Sequence, residues 1–454
     1  MLTGLFLNSK ENTMFKVGYA QEIITPPTGV GLAGYFNKRP NEGMYDDLYV
    51  KVIMIETNGK LCGFVSFELC SVPAEIYTDL EAFTTEKYGK ELYQNLIVCA
   101  THTHTAPEIR FRREEWDDRT YYAYDLALDG AKRAITRAII NLLPAELEVG
   151  SVYNNPYAFI RRYYMKNGTI VTNPGWGNPD IEKPESELDR TISFLKIIQG
   201  GRIAALICNI SNHGDTIGGS IVSGDWYGRF AQAIQYELKT SLPVMVLDDA
   251  SGDVNHFDFR QKINQSSYKE AVRIGRGYAQ IILDALDDTV KLTAEDVVIK
   301  NTTVTIPHRQ ISDEEYAEAK HTLATVPDIK KDGDLESQDL ANKVPAALRH
   351  FAQRTIDCRE KSTPSHEGRI TSFKFGEELS FVAVPGEPFN GIARIIREKS
   401  TTKYTFVVSQ AQSLSGYVPM PECFERGGYE VQPAVNTVAP NAATEIINAA
   451  LRVL

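Results

Sequence analysis

Two histidines separated by a single residue lie where an apolar segment of the chain gives way to a loop. Residues 99–107 read CATHTHTAP, and residues 95–98 before them read NLIV, which is typical of a buried strand. Because alternate residues of an extended chain share a face, we expect His102 and His104 to point into one cavity. Neutral imidazole binds metals such as zinc, and it also serves as an acid, a base or a hydrogen-bond donor. For either ring the alternative is a role limited to satisfying buried hydrogen bonds.

Further side chains suited to metal chemistry lie at other strand-like segments, each beside glycine or proline. His213 lies in NISNHGD after an apolar run, and Glu387 lies in VPGEP, whose prolines make the turn rigid. Tyr417 and Tyr429 lie in the loops SGYVP and GGYE. In open α/β folds, functional groups gather at such strand ends. Together the histidines, the glutamate and a tyrosine form an oxygen- and nitrogen-rich set that could hold zinc.

The composition is typical of a globular, enzyme-sized chain and argues against several other classes. The chain has 454 residues, a formal net charge of -11 and no basic run, which argues against a nucleic-acid surface. Six cysteines without a CxxC pair indicate reduced, buried thiols rather than a disulfide framework or a cysteine-rich zinc site. No segment is long enough to span a membrane, and the N-terminus lacks the basic lead of a secretory signal. We therefore expect a cytoplasmic protein.

Alternating strand-like and helix-like segments predict an α/β fold, with one large mixed domain over residues 15–454 whose strand-end loops carry the zinc site. Residues 1–14 are expected to form a loose extension. Asn58-Gly59 predicts a hairpin turn. The charged segment 311–360 predicts a helical insertion, either a lid or a solvated face without a catalytic role. The other predicted elements are strands at 15–20, 48–56, 61–67, 96–100, 204–210, 244–248, 369–375, 379–384 and 404–408, and helices at 73–88, 119–141, 226–238 and 267–286.

Five motifs in a fixed order resemble those of a known enzyme family. They are THTHTAP, NHGD followed by SGDWYG, ASGDVN, AVPGEPF, and SGYVP with GGYE. The chain resembles, from about Phe15 to its C-terminus, the catalytic domain of the neutral/alkaline non-lysosomal ceramidases and their short bacterial relatives. The resemblance implies a zinc-dependent hydrolase that cleaves the amide bond of N-acylsphingosine, and hence a role in sphingolipid metabolism.

The same resemblance implies a role for each matching residue. It makes His102, His213, Glu387 and Tyr417 the zinc ligands. His104 then contacts the reacting carbonyl, and Tyr429 stabilises the oxyanion formed when a metal-activated water attacks. A substrate-contacting arginine matches either Arg161 or Arg162, with Arg161 preferred.

Two departures from the family pattern widen the expected substrate class. Asn255 stands where the ceramidases have a serine assigned a part in catalysis, and Ser251 does not match that position. Asn255 could donate a hydrogen bond to an oxyanion but cannot be a nucleophile. The chain also ends soon after Tyr429, so no immunoglobulin-like C-terminal domain is expected. The substrate is thus expected to be a lipid or small-molecule N-acyl compound, and two alternatives remain. One is a zinc hydrolase of a small soluble amide or ester, and the other is a catalytically silent metal-binding relative.

The sequence leaves more than one role for several carboxylates near the motifs. Asp253, Asp225 and His104 are candidates for protonating the leaving amine. Asp215 and Asp225 are predicted to accept the second ring N–H of a ligating histidine, with surface solvation as the alternative. Glu68 could line the pocket or bind a second cation.

Overall fold

The computed structural model describes residues 15–37, 39–110, 113–331, 335, 337–361, 363–412, 416–433 and 435–454. The expected extension at residues 1–14 lies outside the described residues. In chain order the strands are β1 (Phe15–Ile23), β2 (Gly31–Leu32), β3 (Arg39–Pro40), β4 (Gly43–Met44), β5 (Tyr49–Thr57), β6 (Lys60–Phe67), β7 (Leu96–Ala100), β8 (Leu143–Tyr153), β9 (Phe159–Ile160), β10 (Arg162–Met165), β11 (Ile170–Thr172), β12 (Ile181–Pro184), β13 (Thr191–Gln199), β14 (Arg202–Ile210), β15 (Ile221–Val222), β16 (Val244–Asp248), β17 (Val254–Asn255), β18 (Val290–Lys291), β19 (Val297–Pro307), β20 (Ser365–Phe375), β21 (Leu379–Pro385), β22 (Glu387–Pro388), β23 (Tyr404–Ala411) and β24 (Tyr417–Val418).

Helices alternate with these strands. They are α1 (Ala74–Tyr88), α2 (Lys90–Gln94), α3 (Asp118–Ile140), α4 (Asp225–Glu237), α5 (Tyr268–Ala285), α6 (Asp313–Thr325), α7 (Ser337–Ala341), α8 (Pro345–Lys361), α9 (Asn390–Lys399), α10 (Cys423–Arg426) and α11 (Ala442–Val453). Among the described residues, every helix is too short or too polar to cross a bilayer. The six cysteines are unpaired and five of them are buried, as expected from the sequence.

One mixed sheet of 13 strands organises the molecule, so the predicted α/β fold class is confirmed. Twelve strands lie in the order β16-β14-β13-β8-β1-β5-β6-β7-β23-β21-β20-β19, and β18 pairs with β8. The pairs β14–β16, β6–β7 and β21–β23 are parallel, and the other neighbours are antiparallel. The predicted hairpin joins β5 to β6, where Asn58 and Gly59 both have positive φ.

The sheet curls so that its two halves share a core and the helices lie outside. Asn209 at the end of β14 donates its side-chain amide to the carbonyl of Val407 in the distant strand β23, at 2.9 Å. Inward-facing side chains from both halves form one buried cluster, which includes Leu195, Met245 and Phe381. Three further apolar clusters lie under the outer helices, below α1 and α3, below α4 and α5, and below α9 and α11. Several strands of the sheet are therefore buried on both faces, which explains apolar runs such as β7, β16 and β21.

The segment 311–360 leaves the sheet between β19 and β20, which are antiparallel neighbours. It contains α6, α7 and most of α8, and Ser312 and Glu315 form a capping box at the start of α6. Residues 332–334 and 336 of this segment lie outside the described residues.

Gly18 in β1 allows α3 to approach the sheet closely. A Cβ atom at this position would lie 1.9 Å from the carbonyl oxygen of Ala138, so the helix would have to shift. We expect Gly18→Ala to lower the free energy of unfolding by about 1–3 kcal/mol, the usual cost of overpacking. Gln21→Ala on the exposed face of the same strand is the control, with a change within about 0.5 kcal/mol. Equal denaturation midpoints for the two variants would contradict this account of helix packing.

Candidate metal centre and its cavity

His102 lies just after β7 in an unusual backbone conformation. Its φ is +72°, a left-handed value that non-glycine residues seldom adopt. The chain is therefore not extended here, and the predicted reason for the convergence of His102 and His104 is wrong. The two rings nevertheless meet, with centroids 4.8 Å apart and planes at 82°. The turn at His102, rather than strand alternation, brings the rings into one site.

His213 reaches the same site from the end of β14. The loops that carry His102 and His213 dock backbone to backbone, because the His104 amide donates to the Gly214 carbonyl at 2.9 Å. A Cβ atom on Gly214 would lie 2.5 Å from the His102 carbonyl oxygen, so only glycine permits this approach. The third group, Glu387, lies in β22, which pairs in parallel with β24 opposite Tyr417. Backbone pairing thus places the carboxylate strand beside the tyrosine strand.

Backbone carbonyls fix the orientation of the two imidazole rings. Nδ1 of His102 donates to the carbonyl of Cys70 at 2.6 Å, and Nδ1 of His213 faces the carbonyl of Ser251 at 3.4 Å. In the neutral tautomer that has its proton on Nδ1, each ring directs its Nε2 lone pair inward. The two Nε2 atoms are 3.0 Å apart, and His102 Nε2 lies 3.4 Å from Oε2 of Glu387.

These three donor atoms fit a divalent metal ion. Adjacent ligands of a tetrahedral zinc with bonds of about 2.0–2.1 Å are separated by about 3.3 Å. Burial lowers the pKa of His213, which favours the neutral, metal-binding form, whereas the Glu387 charge raises the pKa of His102 against the effect of burial. Burial opposes ionisation of Glu387, but the neighbouring His102 and Arg161 charges hold its pKa below the usual value. Its buried Oε2 makes no hydrogen bond within the described part of the chain, and a bound cation would satisfy it.

A second group of possible ligands consists of Cys70, His102 and His104. It is the poorer candidate, because His102 Nδ1 already donates to the Cys70 carbonyl. The Cys70 thiol also accepts a hydrogen bond from the Arg110 guanidinium at 3.4 Å, and this fixed positive charge opposes a bound cation.

His104 stands beside the metal centre, with its Nε2 atom 3.2 Å from that of His102. Its Nδ1 lies 3.5 Å from Oδ1 of Asp215, which accepts a hydrogen bond of 2.6 Å from the Tyr35 hydroxyl. Asp215 thus faces His104 and not a predicted ligand. Asp225 accepts the backbone N–H groups of Thr216 and Ile217. The predicted support of ligating histidines by these two carboxylates is therefore wrong, since backbone carbonyls perform that task.

The two predicted tyrosines and Arg161 form the opposite wall of the site. The rings of Tyr417 and Tyr429 are 6.0 Å apart, and the Arg161 guanidinium carbon lies 5.0 Å from the Tyr417 centroid. Arg161 donates to Glu430 and to a backbone carbonyl at 2.9 and 2.8 Å. Burial raises the pKa of Tyr429 well above its usual value, so its phenol keeps its proton.

Arg162 points away from this wall. It is fully buried and pairs with Glu185 and Glu430. Of the two arginines between which the sequence could not decide, Arg161 borders the cavity, whereas Arg162 holds the β10 region to the loop of Glu430.

Asn255 is not brought to the cavity wall with the other predicted residues. Its amide donates to Oδ1 of Asn173 at 2.9 Å and accepts the Phe257 amide at 3.1 Å. Asn173, rather than Asn255, lines the cavity. The side chain of Ser251 is also engaged, because its hydroxyl donates to Asp248 at 2.9 Å.

The remaining carboxylates have structural partners. Asp253 accepts the Asn390 amide at 2.6 Å and is buried, which raises its pKa to about 6. Glu68 forms an ion pair with Lys51 at 2.7 Å, so its charge is already balanced by a residue of the chain and not by a second cation. His104 is thus the one of the three candidate proton donors that reaches the cavity.

Two chambers adjoin the candidate metal centre. Their volumes are about 350 and 330 Å³, and both are bordered by the pair His104 and Tyr429. Several of their lining residues are not predictable from the sequence, because these lie far apart in the chain and carry no motif. They are Tyr35, Phe36, Arg110, Asn173, Trp176, Phe257, Phe259, Gln338 and Arg354.

The fold is shared with solved ceramidases. Neutral ceramidase from Pseudomonas aeruginosa matches with a TM-score of 0.73 and 17% identity, over 97% of this chain and 74% of that chain. A ceramidase structure described as complexed with C2 matches with a TM-score of 0.69 and 16% identity, over 97% of this chain and 76% of that chain. No protein-family model and no curated protein matches the sequence. The resemblance predicted from the motifs is confirmed for the fold.

Metal content tests the donor set directly. We expect the purified protein to retain about one divalent ion per chain after dialysis, and His213→Ala to lose it, because a ligand is removed. His321→Ala, on an exposed position of α6, is the matched control and should keep the ion. Elemental analysis of both variants checks this. A His213→Ala protein that is folded and fully metallated would contradict the assignment.

Proposed function

We propose that the chain hydrolyses a linear N-acyl amide bond with a zinc ion held by His102, His213, Glu387 and Tyr417. The observation that carries the proposal is the convergence of two inward Nε2 atoms and an unpartnered carboxylate oxygen where two chambers meet. A nitrogen and oxygen donor set without thiolate suits zinc in hydrolytic sites. A cytoplasmic location is part of the proposal and rests on the sequence alone.

A zinc ion held there would lower the pKa of its bound water to about 7 and so supply a nucleophile near neutral pH. The chain's own residues then have to hold the amide and stabilise the charge that develops on its carbonyl oxygen. Tyr429 suits this task, because its protonated phenol borders both chambers and donates a hydrogen bond without carrying charge.

His104 and Arg161 complete the arrangement around the amide. The docked Gly214 backbone fixes the position of His104, whose Nδ1 lies 3.5 Å from Asp215 and whose Nε2 side faces the centre. His104 is therefore proposed to contact the reacting carbonyl and to be the group nearest to the leaving amine. Arg161 is held by Glu430 and places its positive charge against the Tyr417 ring, which favours ligation by that phenol oxygen.

The alternative of a silent metal-binding relative is disfavoured by the cavity. His104 and Tyr429 are not needed to hold an ion, yet both border the chambers beside it. The ceramidase fold makes a ceramide-type N-acyl amide the first substrate to test.

Replacing the proposed oxyanion donor should affect the chemical step most. We expect Tyr429→Phe to lower kcat by about 10²–10³-fold, the usual effect of losing one such donor, with KM and metal content little changed. Steady-state kinetics with a short-chain ceramide check this. Tyr236→Phe, whose ring is 76% exposed on α4, is the control. An unchanged kcat in Tyr429→Phe would contradict the assigned role.

Removal of the metal tests the reaction class. Dialysis against a chelator should abolish amide hydrolysis, and one equivalent of zinc should restore it, because the nucleophile depends on the ion. A far-ultraviolet circular dichroism spectrum of the metal-free protein controls for unfolding. Hydrolysis at the original rate by folded, metal-free protein would rule out the proposed function.

A further inference from the structure

The larger chamber beside the metal centre has an aromatic wall. Trp176 stacks on Phe259 with centroids 5.0 Å apart and planes at 27°, and Phe257 meets Trp176 edge-on at 4.8 Å. Trp176 is only half-buried, so one side of the platform is open to the chamber. A flat aromatic surface of this kind binds another ring face to face, or the apolar face of a saturated ring.

Polar groups with unused hydrogen-bonding capacity line the same chamber. The Asn173 side chain uses its oxygen to accept from Asn255, while its amide nitrogen has no partner among the described residues. The Gln338 amide on α7 and the indole N–H of Trp176 make no hydrogen bond within the described part of the chain. Asp215 uses Oδ1 for Tyr35, which leaves Oδ2 as an acceptor. The chamber thus offers several donors and acceptors around one aromatic platform.

These groups disfavour an alkyl chain in this chamber. A hydrocarbon would desolvate the Asp215 carboxylate and the two amides and would offer nothing in place of the hydrogen bonds that these groups make to water, which is unfavourable for each group. A site built to hydrogen-bond hydroxyl groups strongly rejects analogues that lack them. The lining therefore favours a compact ligand with hydroxyl groups on its edge and an apolar face.

The size of the chamber agrees with one ring. At about 30 Å³ for each water-sized group, a volume of about 350 Å³ holds about a dozen non-hydrogen atoms. A hexosamine ring with its hydroxyl groups has that size, whereas two long alkyl chains are far larger. His104 and Tyr429 border the inner end of the chamber, so a ring bound here places its amide beside the metal centre.

We propose that this chamber binds the amine portion of the substrate as a polyhydroxylated ring stacked on Trp176, so that the substrate is an N-acyl amino sugar. This inference rests on the proposed amide hydrolysis and names its substrate class. The second chamber, lined by Arg354, Val435 and Thr437, is left for the acyl group.

Direct binding tests the ring subsite without requiring turnover. N-acetylglucosamine and N-acetylcyclohexylamine, which has the same ring size but no hydroxyl groups, are titrated into the zinc-loaded protein and followed by ligand-observed NMR. We expect at least ~10-fold tighter binding of the hydroxylated ring. Trp176→Ala should weaken this binding by ~10-fold, Trp176→Phe should retain most of it, and Gln338→Ala should weaken it by about 2–10-fold.

The controls separate a local effect from a change in folding. Tyr236→Ala removes an exposed aromatic ring on α4 and should leave both affinities unchanged. Metal content should be unchanged in all the variants, and N-acetylcyclohexylamine should bind Gln338→Ala as it binds the parent protein. Equal affinity for the two ligands, or no effect of Trp176→Ala, would overturn the proposal.

Hydrolysis then distinguishes failure of the inference from failure of the proposed function. The values of kcat/KM are compared for N-acetylglucosamine, N-hexanoylglucosamine and a short-chain ceramide. We expect the hexosamine amides to exceed the ceramide by at least ~10-fold. Cleavage of the ceramide without binding of the sugar would overturn the ring subsite and leave the amidase function intact. Binding of the sugar without cleavage of any amide would support the subsite and refute the amidase function.

Discussion

Two imidazole lone pairs that face each other at 3.0 Å in a buried site are the constraint on which the rest of the structure depends. When each ring is neutral and has its proton on Nδ1, where a backbone carbonyl can accept it, both Nε2 nitrogens are acceptors and repel unless a cation lies between them. Glu387 adds a negative charge that burial alone would disfavour. The surrounding fold holds these groups together. Gly214 lets two loops meet, and the strained turn at His102 aims its ring away from the direction of its strand.

Some groups beside this centre hold other residues in place, and others face the cavity. Arg162 and Glu430 are buried partners that fix a loop, and Glu430 in turn holds Arg161 against the Tyr417 ring. His104 and Tyr429 border both chambers and are free to meet a ligand. The ring contacts of Tyr429 include Phe351 of α8, at 6.1 Å, so the segment 311–360 contributes to the cavity and is more than a solvated surface.

Elements that have a strong pattern within their own sequence were predicted correctly. The Asn58-Gly59 turn and the apolar runs at β7, β14 and β16 were recognisable because turn chemistry and burial on both faces leave strong traces. The strands β8, β13 and β19 and the helices α9 and α11 were missed. Polar residues interrupt the edge strand β19, whose burial alternates irregularly. Motif order predicted a set of metal ligands, but sequence could not separate Arg161 from Arg162 or show that Asn255 is engaged by Asn173. Those outcomes depend on tertiary packing between segments about 80 or more residues apart.

X-ray absorption spectroscopy of the zinc-loaded protein at the zinc edge tests the central claim most directly. Ligation by His102, His213, Glu387 and Tyr417 predicts a first shell of nitrogen and oxygen at about 2.0–2.2 Å, with imidazole scattering from two histidines and no sulfur. A shell containing sulfur at about 2.3 Å would move the ion to Cys70 and its neighbours, and would contradict the account. The absence of tightly bound metal would contradict it equally.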